Sequence, residues 1–491
     1  MTRLLDIIDE ADLVGVPSEV LPDAVEVTGI TDDSRLVRPG DAFVAVAGAA
    51  SDGHDHAEGA VAAGAAVVLA ERPLPEVSAP VLVIDALKTR RSEIASRFFG
   101  NPSADMTCVG VTGTNGKTSI ACFIAELVVG LGGTAAYMGT IGWGRPGSLS
   151  PSVLTTESAI LIQERLAAFR DEGIGWAVLE VSSHALDQHR VDGVAFDYAV
   201  FSNLSRDHLD YHGDFEGYGR AKARLFRFPT LKAAIINVDD PFGRRLARKL
   251  DDAVEVIRYG ETDAEIRWSG LEFHPDGVRG RIHTPWGEGA LALPLYGSFS
   301  VANAAAALGV LCHSGFELAA VLDALEVLSP VPGRMEFFPG RPTLLVDYAH
   351  TPDALAKMLA ALEPHVPGRI ICVCGCGGDR DRGKRPLMAE AACRHADVVW
   401  LTSDNPRSES PERIIDDMLP GVPEGADVHV EVDRLKAIRG AVAGARPADL
   451  VVIAGKGHED YQEVHGERLP FDDRAIARAL TVPDTTASGR N

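Results

Sequence analysis

Short apolar runs alternate with Ala- and Leu-rich stretches along almost the whole chain, as at Ala233-Ala-Ile-Ile-Asn237 and Leu450-Val-Val-Ile-Ala454. A run that is apolar at every position suits a strand covered on both faces, the condition of a parallel sheet packed between helices. The rhythm therefore predicts an α/β fold. A chain of 491 residues exceeds what one compact core usually organises. Two breaks rich in Pro and Gly, Asn101-Pro102-Ser103 and Ser329-Pro330-Val331-Pro332-Gly333, divide it into predicted domains at 1–101, 102–332 and 333–491. No repeat with a period of about 20 to 50 residues is visible. The tail beyond Asp484 has no periodicity and is expected to fray.

Hydrophobic residues at 46% and charged residues at 24% are ordinary for a globular chain and suggest no long disordered region. A net charge of -23 opposes binding to nucleic acid or to an anionic membrane surface, so an anionic substrate must be met by local donors. No apolar run reaches about 18 residues, and the start Met1-Thr2-Arg3-Leu4-Leu5-Asp6 lacks the plan of a signal peptide. A cytoplasmic protein with no stable membrane insertion is expected. Seven cysteines, odd in number and irregular in spacing, describe no disulfide framework. Cys372, Cys374 and Cys376 would share one face of a strand, where buried thiols are expected rather than a metal site.

The strongest local signal is Val109-Gly110-Val111-Thr112-Gly113-Thr114-Asn115-Gly116-Lys117-Thr118-Ser119. A short apolar strand runs into a glycine-rich turn and then into a helix carrying Phe123, Ile124, Leu127 and Val128. Backbone amides at such a helix start can wrap phosphate, Lys117 adds a point charge, and the Thr118 hydroxyl suits magnesium. The strict phosphate-loop pattern wants glycine where Val111 stands, and Gly113 supplies the freedom at a different point. Gly113, Thr114, Asn115, Gly116, Lys117, Thr118 and Ser119 are assigned to ATP. Further on, Trp176-Ala-Val-Leu-Glu180 ends an apolar strand on an acidic residue, where phosphate-loop enzymes keep a magnesium-organising carboxylate.

Thr-Gly-Thr-Asn-Gly-Lys-Thr in this form resembles the Mur ligase family, the peptidoglycan synthetases and their folylpolyglutamate synthetase relatives. The resemblance implies a three-domain architecture with a central phosphate-loop ATPase domain and a Rossmann-like C-terminal domain. By the same resemblance, the segment Arg206-Asp207-His208-Leu209-Asp210 supplies a magnesium-binding histidine at His208. Tyr218-Gly-Arg-Ala-Lys222 looks like the family segment whose lysine is carbamylated, which would turn Lys222 into an anionic oxygen ligand. Lys117, Glu180, His208 and Lys222 thus form the implied catalytic set, with Thr118, Glu180, His208 and carbamylated Lys222 around Mg2+. Taken alone, Lys222 would be an ordinary exposed helix lysine. Asn303 is implied as a contact to adenine, and Arg334, Asp347 and His350 as further ATP contacts.

The resemblance extends over nearly the whole chain. Asp32 and Ser34 of Thr31-Asp32-Asp33-Ser34-Arg35, with Ala49, Ala50 and Ser51, are implied to hold the UDP sugar. Thr155, Thr156, Ser182, Gln188 and Arg190 match the muramoyl-dipeptide site, where hydroxyls and a guanidinium grip carboxylates. Leu154 departs from the asparagine some members carry there. In the third domain Arg380, the loop Asp404-Asn405-Pro406-Arg407, Gly455 and Glu459 look like the site of members that add meso-diaminopimelate. There Arg407 can fork onto a carboxylate in a way lysine does not reproduce, and Glu459 suits the distal ammonium.

The implied partners are UDP-N-acetylmuramoyl-L-alanyl-D-glutamate, ATP and meso-diaminopimelate, joined through an acyl phosphate by a monomeric enzyme of peptidoglycan precursor synthesis. L-Lysine as the amino acid is disfavoured by Arg407. A folylpolyglutamate synthetase is disfavoured by the Asp-Ser-Arg segment and the Asp-Asn-Pro-Arg loop. A nucleotide-dependent switch would need the phosphate loop and no amino-acid site.

Overall fold

The computed structural model describes residues 2–8, 13, 26–48, 51–250 and 254–481. Ala49, Ala50 and the tail beyond Asp484 lie outside the described residues. Contacts divide the chain into two compact units, residues 1–266 with 306–316 and residues 267–305 with 317–491. Among the described residues no helix is long and apolar enough to cross a membrane.

The first unit holds two main sheets. Strands β1 (Gly29–Thr31), β2 (Asp41–Ala45), β3 (Val67–Ala70) and β4 (Val81–Val83) lie in sequence order and are parallel. Alternate residues of β2 and β3 feed different cores. Ala42, Val44, Val67 and Leu69 pack with Ile94 and Ala95 of one helix, and Phe43, Ala45, Val68 and Ala70 with Ala57 and Ala60 of another. The sheet is thus covered on both faces, as its unbroken apolar strands require.

The larger sheet contains β5 (Thr107–Thr112), β6 (Ala135–Gly139), β7 (Gly142–Arg145), β8 (Ser148–Ser150), β9 (Trp176–Glu180), β10 (Tyr198–Phe201), β11 (Ala233–Asn237) and β12 (Glu255–Tyr259). Its order is β8-β7-β6-β9-β5-β10-β11-β12, parallel except that β7 runs antiparallel to both β6 and β8. Helix α1 (Lys117–Gly130) carries the chain from β5 to β6 on one side, whereas β9 leads to β10 on the other. The winding therefore reverses at β5, and a crevice opens beyond the C-terminal ends of strands at such a reversal. Register aligns those ends: Glu180 pairs with Val111, and Phe201 with Thr112.

In the second unit β13 (Arg267–His274), β14 (Gly277–Thr284) and β15 (Gly287–Leu293) form an antiparallel sheet. A six-stranded sheet follows, built from β16 (Glu336–Phe338), β17 (Thr343–Asp347), β18 (Ile370–Cys374), β19 (Val398–Leu401), β20 (Val428–Val430) and β21 (Leu450–Ala454). Its order β16-β17-β21-β18-β19-β20 is parallel apart from β16, a doubly wound arrangement of Rossmann type. Cys372, Cys374 and Cys376 are buried together in one of its two cores, and none of the seven cysteines is in a disulfide. Asp347 pairs with Ala454 and Cys374 with Leu401, so the loops after β17, β21, β18 and β19 emerge at one end.

Candidate active site

In the first unit β5 stops at Thr112 and α1 begins at Lys117, with Gly113 and Gly116 between them at φ +147° and +86°. A Cβ on Gly113 would stand 1.9 Å from the Ser202 hydroxyl, so the turn admits no side chain there. The loop is laced to the segment after β10: Thr114 N donates to Asn203 O (2.8 Å) and Asn115 N to Asn203 Oδ1 (3.0 Å). Lys117 Nζ folds onto the carbonyls of Gly113 (3.0 Å) and Thr114 (2.9 Å). A lysine poised on the loop and the amides at the helix start together make an anion site. Ser119 lies in the first turn of α1, partly exposed.

Glu180 is buried at the end of β9, and its carboxylate accepts from Thr118 Oγ1 (3.0 Å), Thr140 N (2.8 Å), Thr140 Oγ1 (3.2 Å) and the Tyr137 hydroxyl. The sequence reading missed Tyr137 and Thr140, which orient this carboxylate. Lys222 lies on the helix Phe215–Ala223 and is 1% exposed, contrary to what its sequence context alone suggests. Its Nζ donates to Gly113 O (2.7 Å) and stands 4.4 Å from the Tyr218 ring centroid. Burial, with Lys117 nearby, pulls its pKa well below the ordinary lysine value. Both lysines therefore meet the carbonyl of Gly113.

His208 adopts a left-handed backbone (φ +52°), lies 3.4 Å from Asp207 and packs edge-on against His184. Among the described residues no three His, Cys, Asp or Glu side chains converge as a metal site. The hard oxygens of Thr118 and Glu180 do fit a magnesium ion. Lys222 as a free amine donates to Gly113 and offers magnesium no oxygen; an oxygen-bearing modification would make it the hard ligand that ion prefers.

The residues assigned to the dipeptide gather on the same strand end. Thr156 Oγ1 donates to Glu180 O (2.8 Å) and accepts from Ser182 N (3.0 Å), while Thr155 Oγ1 meets Thr140 Oγ1 (3.1 Å). Arg190 donates to Thr156 O (2.8 Å) and, through Nε, to Gln188 Oε1 (3.0 Å). Asp32 accepts from Ser158 Oγ (3.1 Å); burial raises its pKa, opposed by Arg91 at 3.9 Å. Ser34 occupies a turn and Ser51 bonds His56 Nε2 (2.8 Å), so neither bonds into this network. Leu154 is 45% exposed.

In the second unit the Asp404–Arg407 loop leaves β19 beside the Gly455–Glu459 segment that leaves β21. Asn405 Nδ2 donates to Glu459 Oε2 (2.8 Å), and the fully buried Lys456 reaches both Asn405 Oδ1 (2.9 Å) and Glu459 Oε2 (3.1 Å). Arg407 is aimed by Glu463 on its Nε (3.1 Å) and by Gly378 O on Nη1 (2.8 Å), leaving Nη2 with no protein bond among the described residues. A Cβ on Gly378 would fall 2.0 Å from Pro406 O, so glycine lets the two loops touch. A Cβ on Gly377 would lie 2.9 Å from Arg407 Nη1 and 3.8 Å from Arg380 Cγ, which places the two arginines side by side. Arg385 clamps the loops by donating to both carboxylate oxygens of Glu409 (2.8 and 3.1 Å). Glu463 was not singled out from the sequence.

Three of the ATP-assigned residues of this unit, Arg334, Asp347 and His350, gather about Tyr348. The Arg334 guanidinium covers the Tyr348 ring at 4.4 Å. Asp347 accepts from Met335 N and Ala349 N (both 2.8 Å), and burial raises its pKa. His350 Nδ1 meets Tyr348 O (2.9 Å), and Asn303 is partly buried on the helix Ser298–His313.

Three family models match in succession: Mur ligase family, catalytic domain, at residues 26–98; Mur ligase middle domain at 111–311; and Mur ligase, glutamate ligase domain, at 333–457. A protein of Ectopseudomonas mendocina is 47% identical, the match covering 93% of this chain and 96% of the relative. The chain belongs to the Mur ligase family. A second Mur ligase, from Alkalilimnicola ehrlichii, is also 47% identical over 92% of this chain and 95% of its own length; both relatives are named UDP-N-acetylmuramoyl-L-alanyl-D-glutamate--2,6-diaminopimelate ligase. A solved structure of the same name superposes with a TM-score of 0.73 at 39% identity, covering 98% of each chain. The fold is thus the three-domain Mur ligase fold, and the chain is an ATP-dependent acid–amino-acid ligase.

Proposed function

We propose that this Mur ligase joins 2,6-diaminopimelate, as the meso isomer, to UDP-N-acetylmuramoyl-L-alanyl-D-glutamate at the expense of ATP. A carboxylate does not react with an amine unaided. ATP first phosphorylates the γ-carboxylate of the D-glutamate, releasing ADP and leaving an acyl phosphate. The amine of diaminopimelate, having lost its proton, attacks the acyl carbon, and the tetrahedral intermediate expels phosphate to leave the amide. Such chemistry asks for alignment and charge stabilisation rather than a nucleophilic side chain.

The loop amides from Gly113 to Thr118 and the Lys117 ammonium hold the phosphates, while Asn303, Arg334, Asp347 and His350 serve the rest of the nucleotide. Thr155, Thr156, Ser182, Gln188 and Arg190 position the dipeptide, with Asp32, Ser34 and the loop at Ser51 on the uridine side. Thr118, Glu180, His208 and a carbamylated Lys222 would hold magnesium, which when bound offsets phosphate charge. The depressed pKa of Lys222 supports that modification, because only a neutral amine adds carbon dioxide. Arg380 and Arg407 take the distal carboxylate, and Asp404, Asn405, Pro406, Gly455 and Glu459 complete the amino-acid site. We place the enzyme in the cytoplasm, where ATP is supplied, and take it to act as a monomer.

One observation carries the choice of amino acid: a guanidinium held in place by Glu463 stands on the same loop as the Asn405–Glu459 pair, so one site offers a cation and an anion. A distal centre bearing both carboxylate and ammonium matches that pairing. Purified protein should release phosphate only when the UDP-muramoyl dipeptide, ATP, magnesium and meso-diaminopimelate are all present. Equal turnover with L-lysine would count against the amino-acid assignment, and phosphate release without dipeptide against a ligase.

A further inference from the structure

Lys456 takes no part in the function just proposed, yet its side chain is fully buried between Gly455 and Gly457 at the end of β21. Its Nζ meets three oxygens: Asn405 Oδ1 at 2.9 Å, Glu459 Oε2 at 3.1 Å and Asp404 Oδ1 at 3.5 Å. Each belongs to a residue placed above against the amino acid.

The contacts fix what those side chains can offer. Asn405 Oδ1 also accepts from Glu463 N (2.9 Å), so the amide is pinned with Nδ2 towards Glu459 Oε2 (2.8 Å). Glu459 Oε2 thereby receives two donors, which leaves Oε1 as the oxygen to meet a ligand ammonium. Asp404 Oδ1 is buried without a hydrogen bond, and Lys456 is the cation nearest to balance it. With Lys456 in place this corner carries two carboxylates and one ammonium, a single net negative charge. Without it the corner carries two. One negative charge suits a ligand end holding one ammonium beside a carboxylate, whereas two repel the carboxylate and favour a purely cationic end.

We infer that Lys456 is a positioning and specificity-determining residue, which orients Asn405 and Glu459 and sets the charge of the amino-acid site so that it prefers a distal zwitterion to a distal ammonium. This inference rests on the assignment of the Asp404–Arg407 loop to diaminopimelate. Lys456 itself touches no reacting atom; it acts through its three neighbours.

Steady-state kinetics of wild type, Lys456→Met and Lys456→Arg, with meso-diaminopimelate and with L-lysine, tests it. In Lys456→Met the KM for meso-diaminopimelate should rise at least about tenfold, and the kcat/KM preference for it over L-lysine should fall at least about tenfold. The KM values for ATP and UDP-muramoyl dipeptide should stay within about twofold, since Lys456 Nζ bonds to no residue assigned to either. Lys456→Arg keeps the cation and should hold the preference within about threefold. A Lys456→Met enzyme with unchanged preference would overturn the inference. So would a rise in all three KM values together with a lower Tm, which is the signature of a merely structural lysine. Should Lys456→Met fail to fold, Lys456→Arg decides: loss of the preference with the charge retained overturns the charge argument. If wild type itself does not use meso-diaminopimelate, the function assignment fails instead.

Discussion

The amino-acid loops hang on one buried ion pair, and removing half of it should affect stability and substrate affinity together. Arg434 and Asp473 are both 0% exposed, and the guanidinium donates to both carboxylate oxygens, Nε to Oδ1 (3.0 Å) and Nη2 to Oδ2 (2.7 Å). The same guanidinium reaches Ala454 O (2.9 Å) and Ser403 O (3.4 Å), the residues just before Gly455 and Asp404. Arg434→Met leaves the Asp473 carboxylate buried without its partner, at a cost of about 3–5 kcal/mol. At roughly 2–4 °C per kcal/mol for a unit of this size, the transition of the second unit should drop by about 6–20 °C. Because the two freed carbonyls sit at the roots of both binding loops, the KM for the amino acid should rise by roughly tenfold. The double variant Arg434→Met with Asp473→Leu removes both charges and should recover all but about 1–3 kcal/mol, the cost of the Ala454 carbonyl losing its 2.9 Å donor. Calorimetry and kinetics on the single and double variants check this. A single variant within about 1 kcal/mol of wild type, or a double variant no better than the single, would refute the assigned role of the pair.

Gly113→Ala should lower kcat/KM for ATP at least about a hundredfold, because its Cβ would meet Ser202 Oγ at 1.9 Å and the loop must shift; normal ATP kinetics would show the turn to be slack. Lys222→Ala should cut turnover by at least about a hundredfold, with partial recovery in added formate or acetate; an unchanged rate would count against a carbamate there. Hydrogen bonds from Arg385, then from the Asp379 amide, hold the Glu409 carboxylate down from its usual 4.5 to about 2. The folded state thus keeps this charge to lower pH than the unfolded chain, so its contribution is complete above pH 4.5 and is lost as pH falls towards about 2. Glu409→Gln should flatten the loss of stability across that window in denaturant titrations, and an unaltered slope would exclude the clamp.

Much of this was legible in the sequence where one local rule acts alone. Ala233–Asn237 and Leu450–Ala454 form parallel strands with those bounds, since an unbroken apolar run has few alternatives to a strand covered on both faces. The phosphate loop likewise falls between β5 and α1, because strand, glycines and helix start follow one another directly. The antiparallel sheet of β13 to β15 was not read: its apolar residues alternate with exposed ones such as Arg267, Glu272 and Arg279, so no apolar run marks it. Contacts distant in sequence were equally silent. Nothing near Arg407 points to Glu463, 56 residues on, and nothing in a helix start distinguishes the buried Arg434 from a solvated arginine. Lys222 looks exposed in its helix, and only tertiary packing with Tyr218 and the phosphate loop buries it.

The buried cations divide by what they touch, and that division bears on how an acidic chain handles acidic substrates. Where a fixed positive charge is needed, a carboxylate accompanies it: Arg434 with Asp473, Arg385 with Glu409, Arg407 with Glu463, Lys456 with Glu459. Pairing lowers the cost of burying the charge and sets the direction of the side chain. Lys222 is treated otherwise. Its hydrogen bond goes to a carbonyl, and burial with the repulsion of Lys117 outweighs the pull of Asp207 and drives it towards the neutral amine. An amine kept neutral is reactive, whereas one held by a carboxylate is a fixed charge. The fold thus uses one residue type in two ways, and the presence or absence of a carboxylate within reach separates the lysine suited to modification from the lysine suited to recognition.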